Sequence, residues 1–136
     1  MTKQIATGAV HHVTLTVTDL RRSQDFYTGF LGFQLAMELS PTRVILSNGS
    51  ALVALTTPPD PSQTPLGDRF NENRVGLDHI SFNVSSRDDL DQAVALFDEK
   101  GVSHGEIKDL GEGLGICVLA FRDPDNTQLE LTGPRT

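Results

Sequence analysis

The chain has 136 residues, 38% of them hydrophobic, which is enough for one globular domain with a single core. Its formal net charge of −7, with only 11 scattered basic residues, argues against nucleic acid as a partner, because phosphate binding needs clustered Lys and Arg. There is no apolar run of membrane-span length, no signal-peptide core and only one cysteine, Cys117, so we expect a cytoplasmic protein with no membrane partner.

The first predicted strand, at residues 12–17, alternates polar and apolar residues with a period of two, which is typical of a strand with one buried face. A helix is predicted to follow, capped by Thr18 or Asp19. Three shorter strands are predicted next, at residues 34–39, 43–47 and 51–56. The Asn48-Gly49 pair between the last two favours a tight hairpin turn. The first half is therefore predicted to be a β-α-β-β-β module.

A near-copy of the first strand occurs at residues 79–84. The helix after it is predicted to begin at Ser85 or Ser86 and to end at Gly101. Three further strands are predicted at residues 104–108, 115–122 and 127–132. In the turn before the last strand, Asn126 tolerates the left-handed conformation. The second half therefore repeats the β-α-β-β-β pattern.

We expect one domain over residues 1–136, with a first module at about 9–57, a linker at about 58–75 and a second module at about 76–133. The linker is rich in proline, and a connection of this length in a compact domain is usually a linker or a functional loop. The functional alternative is that this linker covers the mouth of a cavity.

Each copy of the repeated strand begins with a histidine on its polar face, His12 in the first and His79 in the second. In the last strand Glu130 lies on the polar face, and a glutamate in a half-apolar strand is costly to bury unless it is paired or bound to a metal. If that strand lies beside the histidine strands, two imidazoles and one carboxylate share a face and leave open positions on an octahedral ion. We therefore predict one divalent metal ion per chain, with Fe or Mn favoured and Zn, Ni or Co as alternatives.

Other ionisable residues fit simpler roles. His11 is an alternative ligand in place of His12, and His104 is expected to be solvated or to support a ligand. Asp123 and Asp125 are expected to form a turn.

Three segments carry a family resemblance: HVTLTVTDLRRSQDFYTGFLGF at 12–33, GLDHISFNV at 76–84 and FRDPDNTQLEL at 121–131. They resemble the vicinal oxygen chelate superfamily, which includes glyoxalase I, extradiol dioxygenases, methylmalonyl-CoA epimerase, fosfomycin-modifying enzymes and bleomycin-binding proteins. The resemblance implies an α+β fold in which two βαβββ modules form a curled, open-barrel mixed sheet around the metal. It also implies a homodimer and metal ligands at the positions of His12, His79 and Glu130.

The resemblance also suggests residues for catalysis and substrate binding. Glu130 and Thr14 are the predicted catalytic residues. Thr14 is included because a threonine two residues after the first metal ligand resembles the pattern of the fosfomycin enzymes. The side chains expected to line the substrate cavity are Thr16, Arg43, Ser81, Asn83 and Gln128. Arg43 starts an otherwise apolar strand, so it either holds an anionic substrate or is a surface charge at a strand end.

Two departures from the family pattern bear on the reaction. Residues 39–59 contain no Asp, Glu, His or Cys, so the fourth protein ligand of glyoxalase I-like members is missing. The only tyrosine is Tyr27, and no histidine lies in the loop before His79, so the histidine and the tyrosine that ring-cleaving dioxygenases use beside their metal ligands are also missing.

We predict a divalent-metal-dependent enzyme acting on a small oxygen-rich substrate, with dioxygenase-like chemistry favoured by the set of two histidines and one glutamate. A glyoxalase-type isomerase, epimerase or lyase is the alternative reaction class. A non-catalytic protein that binds a drug or metabolite is an alternative of another kind.

Overall fold

A computed structural model describes residues 3–136 of the chain, which divide into two compact units. The first unit ends at Thr64 and the second spans Pro65–Thr136, so the division falls inside the predicted linker. Each unit contains one β-α-β-β-β module, as the repeated sequence pattern predicted. Within residues 3–136, neither helix has the length and apolar character needed to cross a membrane.

The first unit is a four-stranded sheet with one α-helix, followed by a short 3-10 helix at Pro61–Gln63. Its elements are β1 Val13–Thr16, α1 Leu20–Phe30, β2 Gln34–Ser40, β3 Arg43–Ser47 and β4 Leu52–Thr56. The strands lie in the order β1-β4-β3-β2, with β1 parallel to β4 and the other pairs antiparallel. The first and last strands of the module are therefore neighbours.

The second unit repeats this arrangement. Its elements are β5 Ile80–Asn83, α2 Arg87–Lys100, β6 Lys108–Asp109, β7 Ile116–Arg122 and β8 Gln128–Pro134. The order is β5-β8-β7-β6, again with the first and last strands parallel. The structure confirms the predicted α+β class with two βαβββ modules and mixed sheets, neither of which closes on itself.

Both helices begin at capping residues that the sequence indicated. The Asp19 side chain accepts a hydrogen bond from the backbone N–H of Arg22 at 3.0 Å. Ser86 caps α2 in a reciprocal capping box with Asp89. Such caps satisfy backbone N–H groups that have no partner inside the helix, and they fix where each helix starts.

The core of the second unit lies between α2 and one face of the sheet. Leu90 and Phe97 of α2 are almost fully buried, and the Phe97 ring stacks on Phe121 with 4.7 Å between ring centroids. Leu129 and Leu131 of β8 are buried as well. Because side chains alternate along a strand, the one residue between these two leucines lies on the opposite face of the sheet. This alternation places Glu130 on the side away from the helix.

One predicted strand is displaced. The sequence predicted a strand at 104–108, whereas β6 comprises only Lys108–Asp109, and His104 makes an isolated bridge with Phe121. The His104 ring makes two hydrogen bonds at the start of this segment. Its Nε2 lies 2.6 Å from Asp98 Oδ1 near the end of α2, and its Nδ1 lies 2.6 Å from the carbonyl oxygen of Gly105. His104 therefore fastens the start of this segment to the helix.

The linker is partly fixed within the second unit. The Glu72 carboxylate forms a bidentate ion pair with the Arg122 guanidinium, at 2.8 and 3.0 Å. Beside it, the backbone N–H of Phe70 donates to the carbonyl oxygen of Asp125, and the Asn126 side chain donates to the carbonyl oxygen of Phe70. This half of the linker is therefore held against the turn between β7 and β8.

We expect His104 to make stability depend on pH. Its pKa is raised above the ordinary 6.5, first because it hydrogen-bonds the Asp98 carboxylate and then because it hydrogen-bonds the Gly105 carbonyl. A group whose pKa is raised by folding stabilises the fold fully below its unfolded pKa and loses that contribution as the pH rises through the folded pKa. The free energy of unfolding, measured with urea, should therefore fall as the pH rises from 6.5 through the raised pKa of His104. The fall should be no more than roughly 1 kcal/mol, because Asp98 is exposed to solvent.

The control for this prediction is His104→Gln, which has no titrating ring. The variant should lose the slope of stability against pH in this window. An equal slope in both proteins would show that His104 is not its source.

We expect the Glu72–Arg122 ion pair to be detectable because the Glu72 carboxyl group has a lower pKa than an ordinary glutamate. The Arg122 guanidinium lowers the pKa of Glu72 from 4.5 to about 2, mainly through its hydrogen bonds. The pair therefore stabilises the fold above pH 4.5, and this contribution is lost as the pH falls towards 2. In Arg122→Gln, a carboxyl titration followed by NMR should return the pKa of Glu72 towards its ordinary value. The exposed Arg74 supplies the matched control, since Arg74→Gln should leave the pKa of Glu72 low.

Candidate metal centre

The structure brings His79 and Glu130 together on one face of the second sheet. Strand β8 lies beside β5 in parallel register, with Ser81 opposite Glu130, and His79 immediately precedes β5. The Nε2 atom of His79 lies 3.8 Å from Oε1 of Glu130. The two side chains are 40% and 20% exposed, so both remain reachable from solvent. The condition set by the sequence, that the glutamate strand lies beside a histidine strand, is met for β5.

The spacing of this pair suits a shared metal ion. Two donors that each lie about 2.0–2.2 Å from one ion are separated by roughly 3 to 4 Å when the angle between them is about 90° to 130°. An imidazole nitrogen and a carboxylate oxygen are also a donor set that Fe, Mn and Zn accept. The pair therefore fits part of the predicted ligand set.

The third predicted ligand, His12, belongs to the first unit. It lies immediately before β1 and is exposed, and its Nδ1 atom is 2.9 Å from Nδ1 of His11. Across residues 3–136, no group of three or more His, Cys, Asp or Glu side chains is arranged to hold a metal ion. The role of His12, and of His11 as its alternative, stays a prediction.

The remaining predicted residues of the second unit lie along the same face as Glu130. Ser81 is the direct partner of Glu130, and Asn83 is the partner of Thr132. The hydroxyl groups of Ser81 and Thr132 hydrogen-bond each other across the two strands. This face is therefore polar along β5 and along β8 as far as Thr132, as the sequence alternation predicted.

The predicted residues of the first unit also share one face of their sheet. Thr16 lies opposite Thr56, and Thr56 lies opposite Arg43, so these three side chains form one row across β1, β4 and β3. Thr14 lies in the next row, opposite Ala54. The strand register thus places Arg43 on the same face as Thr14 and Thr16, where an anionic group could be held.

The strand register also shows which residue of the first module stands at the position of Glu130, where the fourth ligand is missing. Thr14 and Ser81 occupy the same position of the repeated strand, and their parallel partners are Ala54 and Glu130. The position of the first module that corresponds to Glu130 is therefore a buried alanine, with no oxygen or nitrogen to offer a metal.

Sequence reasoning missed one residue that touches this site. The carboxylate of Asp78 has its Oδ1 atom 2.7 Å from Nδ1 of His79. Gln128, which was predicted to bind substrate, donates from Nε2 to both Oδ1 and the carbonyl oxygen of Asp78, each at 3.0 Å. The sequence feature that could have indicated this contact is the acidic residue directly before the histidine in the segment GLDHISFNV at 76–84.

The protein is built of two βαβββ modules, and the polar face of β5 and β8 carries a histidine–glutamate pair. The chain belongs to the Glyoxalase/Bleomycin resistance protein/Dioxygenase superfamily, whose family model matches residues 9–131. The resemblance seen in the sequence is therefore confirmed.

The relatives in sequence span nearly the whole chain. It is 33% identical to the uncharacterized protein YwkD of Bacillus subtilis over 129 residues, which covers 90% of this chain and 94% of the relative. It is 31% identical to the uncharacterized protein YaeR of Escherichia coli, covering 90% of this chain and 93% of that protein. A catechol-2,3-dioxygenase of Bacillus subtilis is 27% identical over 93% of this chain, which spans 41% of the dioxygenase.

Solved structures share the fold. A glyoxylase/bleomycin resistance protein/dioxygenase domain from Frankia is 29% identical, with a TM-score of 0.76 and coverage of 96% of this chain and 94% of that one. The fosfomycin resistance protein FosX of Listeria monocytogenes, at 20% identity and a TM-score of 0.72 over 94% of each chain, supports the fold alone.

Proposed function

We propose that this protein is a divalent-metal-dependent enzyme that acts on a small oxygen-rich substrate. The observation that carries the proposal is the convergence of His79 and Glu130, 3.8 Å apart, on the polar face of the second sheet. A glutamate held at this distance from an imidazole, in a member of a superfamily named for glyoxalases and dioxygenases, is best explained as a ligand pair.

In this proposal the ion is held by His79, Glu130 and His12. When bound, it acts as a Lewis acid on the oxygen atoms of the substrate. Glu130 and Thr14 are the proposed catalytic residues. Thr16 and Arg43 are proposed to bind the substrate from the first module, and Ser81 and Asn83 from the second. Arg43 would hold an anionic group through its guanidinium, which presents several N–H donors in a fixed geometry.

Within this class we favour dioxygenase-like chemistry with Fe(II) or Mn(II). Two histidines and one carboxylate with open positions are the ligand set typical of non-haem Fe(II) oxygenases. The alanine at position 54 supports a set of three protein ligands, because the first module offers no acid at the position of Glu130. The similarity to the catechol-2,3-dioxygenase supports the same choice.

A glyoxalase-type isomerase, epimerase or lyase is the second candidate, and one observation favours it. The only tyrosine, Tyr27, is fully buried in the first unit, where its ring packs edge-on against Phe26 and Phe33. It serves the core and is not available to assist oxygen chemistry. A non-catalytic binding protein is less well supported, because such a protein has no need for a glutamate placed beside His79.

We also propose that the protein is a cytoplasmic homodimer. Strand β2 is an edge strand, and three of its apolar side chains are exposed: Leu35, Met37 and Leu39. An exposed apolar edge strand readily pairs with another chain, which supports self-association. The single buried, unpaired thiol of Cys117 suits a reducing compartment.

The ligand assignment predicts which residues control metal content. Purified protein should carry close to one divalent ion per chain by elemental analysis. His12→Ala, His79→Ala and Glu130→Ala should each lower the affinity more than roughly 100-fold, beyond the loss expected for a residue that only supports a ligand.

Two variants are matched controls for this experiment. His104→Gln removes a histidine that fastens α2, and Glu112→Gln removes an exposed carboxylate, so both should keep the ion. If all three ligand variants retain normal metal content, the proposed centre is misplaced.

The reaction class is tested by oxygen consumption. Protein loaded with Fe(II) and supplied with small vicinal diols should consume oxygen in step with product formation, and Glu130→Gln should abolish both. Turnover with no oxygen uptake would reject the dioxygenase in favour of the isomerase or lyase. Tight binding of a small molecule by metal-free protein, with no turnover, would favour the binding protein.

A further inference from the structure

The carboxylate of Asp78 is fixed between two partners beside the proposed metal ligand His79. Its Oδ1 atom lies 2.7 Å from Nδ1 of His79. The Gln128 side chain reaches from the neighbouring strand and donates from Nε2 to the same Oδ1 and to the Asp78 carbonyl oxygen, both at 3.0 Å. Asp78 is therefore held in place by two hydrogen bonds from a strand that is distant in sequence.

This contact determines which nitrogen of His79 carries the hydrogen. An ionised carboxylate can only accept hydrogen bonds, so Nδ1 of His79 must be the donor. In a neutral imidazole the lone pair then lies on Nε2, the nitrogen that is 3.8 Å from the Glu130 carboxylate. Metal-bound histidines commonly donate their other ring N–H to a carboxylate in this way.

We propose that Asp78 is a positioning residue that fixes the tautomer and ring orientation of His79, and that Gln128 acts on the site by holding Asp78. This inference rests on the proposed function, in which His79 binds the metal through Nε2. It gives Gln128 a different task from the predicted one, because its side-chain amide donates both of its hydrogen bonds to Asp78.

The first module provides an internal comparison. The residue before His12 is His11, and their Nδ1 atoms lie 2.9 Å apart. Either ring can donate in that contact, so His11 does not dictate the tautomer of His12 as a carboxylate would. The residue of β4 that corresponds to Gln128 is Leu52, which has no side-chain donor. Only the second module carries both the acid and the amide that fixes it.

The tautomer can be measured directly on metal-free protein. Long-range proton–nitrogen NMR correlations of uniformly ¹⁵N-labelled protein distinguish the two neutral tautomers, at a pH well above the ordinary histidine pKa of about 6.5. The signals of His79 are assigned by their loss in His79→Gln. We expect the Nδ1–H form in the unaltered protein and a shift towards the Nε2–H form in Asp78→Ala. Asp78→Asn should restore much of the Nδ1–H form, since its amide oxygen still accepts the hydrogen bond.

Two further variants make this measurement specific. Gln128→Leu, which copies the residue of the first module, should partly reproduce the effect of Asp78→Ala while leaving the Asp78 carboxylate in the chain. Asp98→Ala is the matched control, because it removes the carboxylate partner of His104 Nε2, so it should change the signals of His104 and leave those of His79 unchanged. His79 signals that are the same in Asp78→Ala as in the unaltered protein would overturn the inference.

Metal affinity supplies the second readout. Mn(II) is titrated into each protein and free ion is followed by its EPR signal. Asp78→Ala should bind about 10- to 100-fold more weakly, and Asp78→Asn should recover part of that loss. A changed tautomer with unchanged Mn(II) affinity would also overturn the positioning role. Failure of the proposed function itself is distinguishable, because there the His79→Ala and Glu130→Ala variants would keep their metal.

Discussion

The parallel pairing of the first and last strands of each module is the constraint on which the rest of the structure depends. In the second module it sets β8 against β5 in one register, with Ser81 opposite Glu130. Leu129 and Leu131 are buried on the helix side, and a slip of one residue would turn both of them to the opposite face and Glu130 into the core. The hydrophobic cost of that slip is what holds Glu130 beside His79. The geometry of the proposed centre is therefore maintained by leucines on the opposite face of the sheet.

Much of this fold could be predicted because the sequence is locally consistent with it. Period-two alternation located β1, β5 and β8, and short-range chemistry located the helix starts at Asp19 and Ser86. Asn126 adopts a left-handed conformation with φ of 68°, as its place in the turn predicted. Each of these features is decided by residues only a few positions apart, so it is visible in the sequence.

Features that depend on long-range side-chain contacts could not be predicted in the same way. The start of the segment before β6 is held by the ring of His104, which bonds Asp98 and the Gly105 carbonyl, and it makes only an isolated bridge with Phe121. The fixed half of the linker depends on the ion pair of Glu72 with Arg122, which joins residues far apart in the chain. The proposed metal centre likewise combines features that the sequence predicted with one that it did not. Alternation placed His79 and Glu130 on polar faces, whereas the contact of Asp78 with His79 depends on side-chain conformation.

The two modules share one backbone plan but differ in chemistry along equivalent strands. Where β8 carries Gln128 and Glu130, β4 carries Leu52 and Ala54. The face of the first module is not featureless, because Arg43 lies in one row with Thr16 and Thr56. The second module thus carries the acidic group, and the first carries a cation and hydroxyl groups. A carboxylate beside an imidazole suits a metal ion, while a guanidinium suits an oxygen-bearing anion. The duplicated fold thus keeps one strand register in both modules while equivalent strand positions carry side chains of different chemistry.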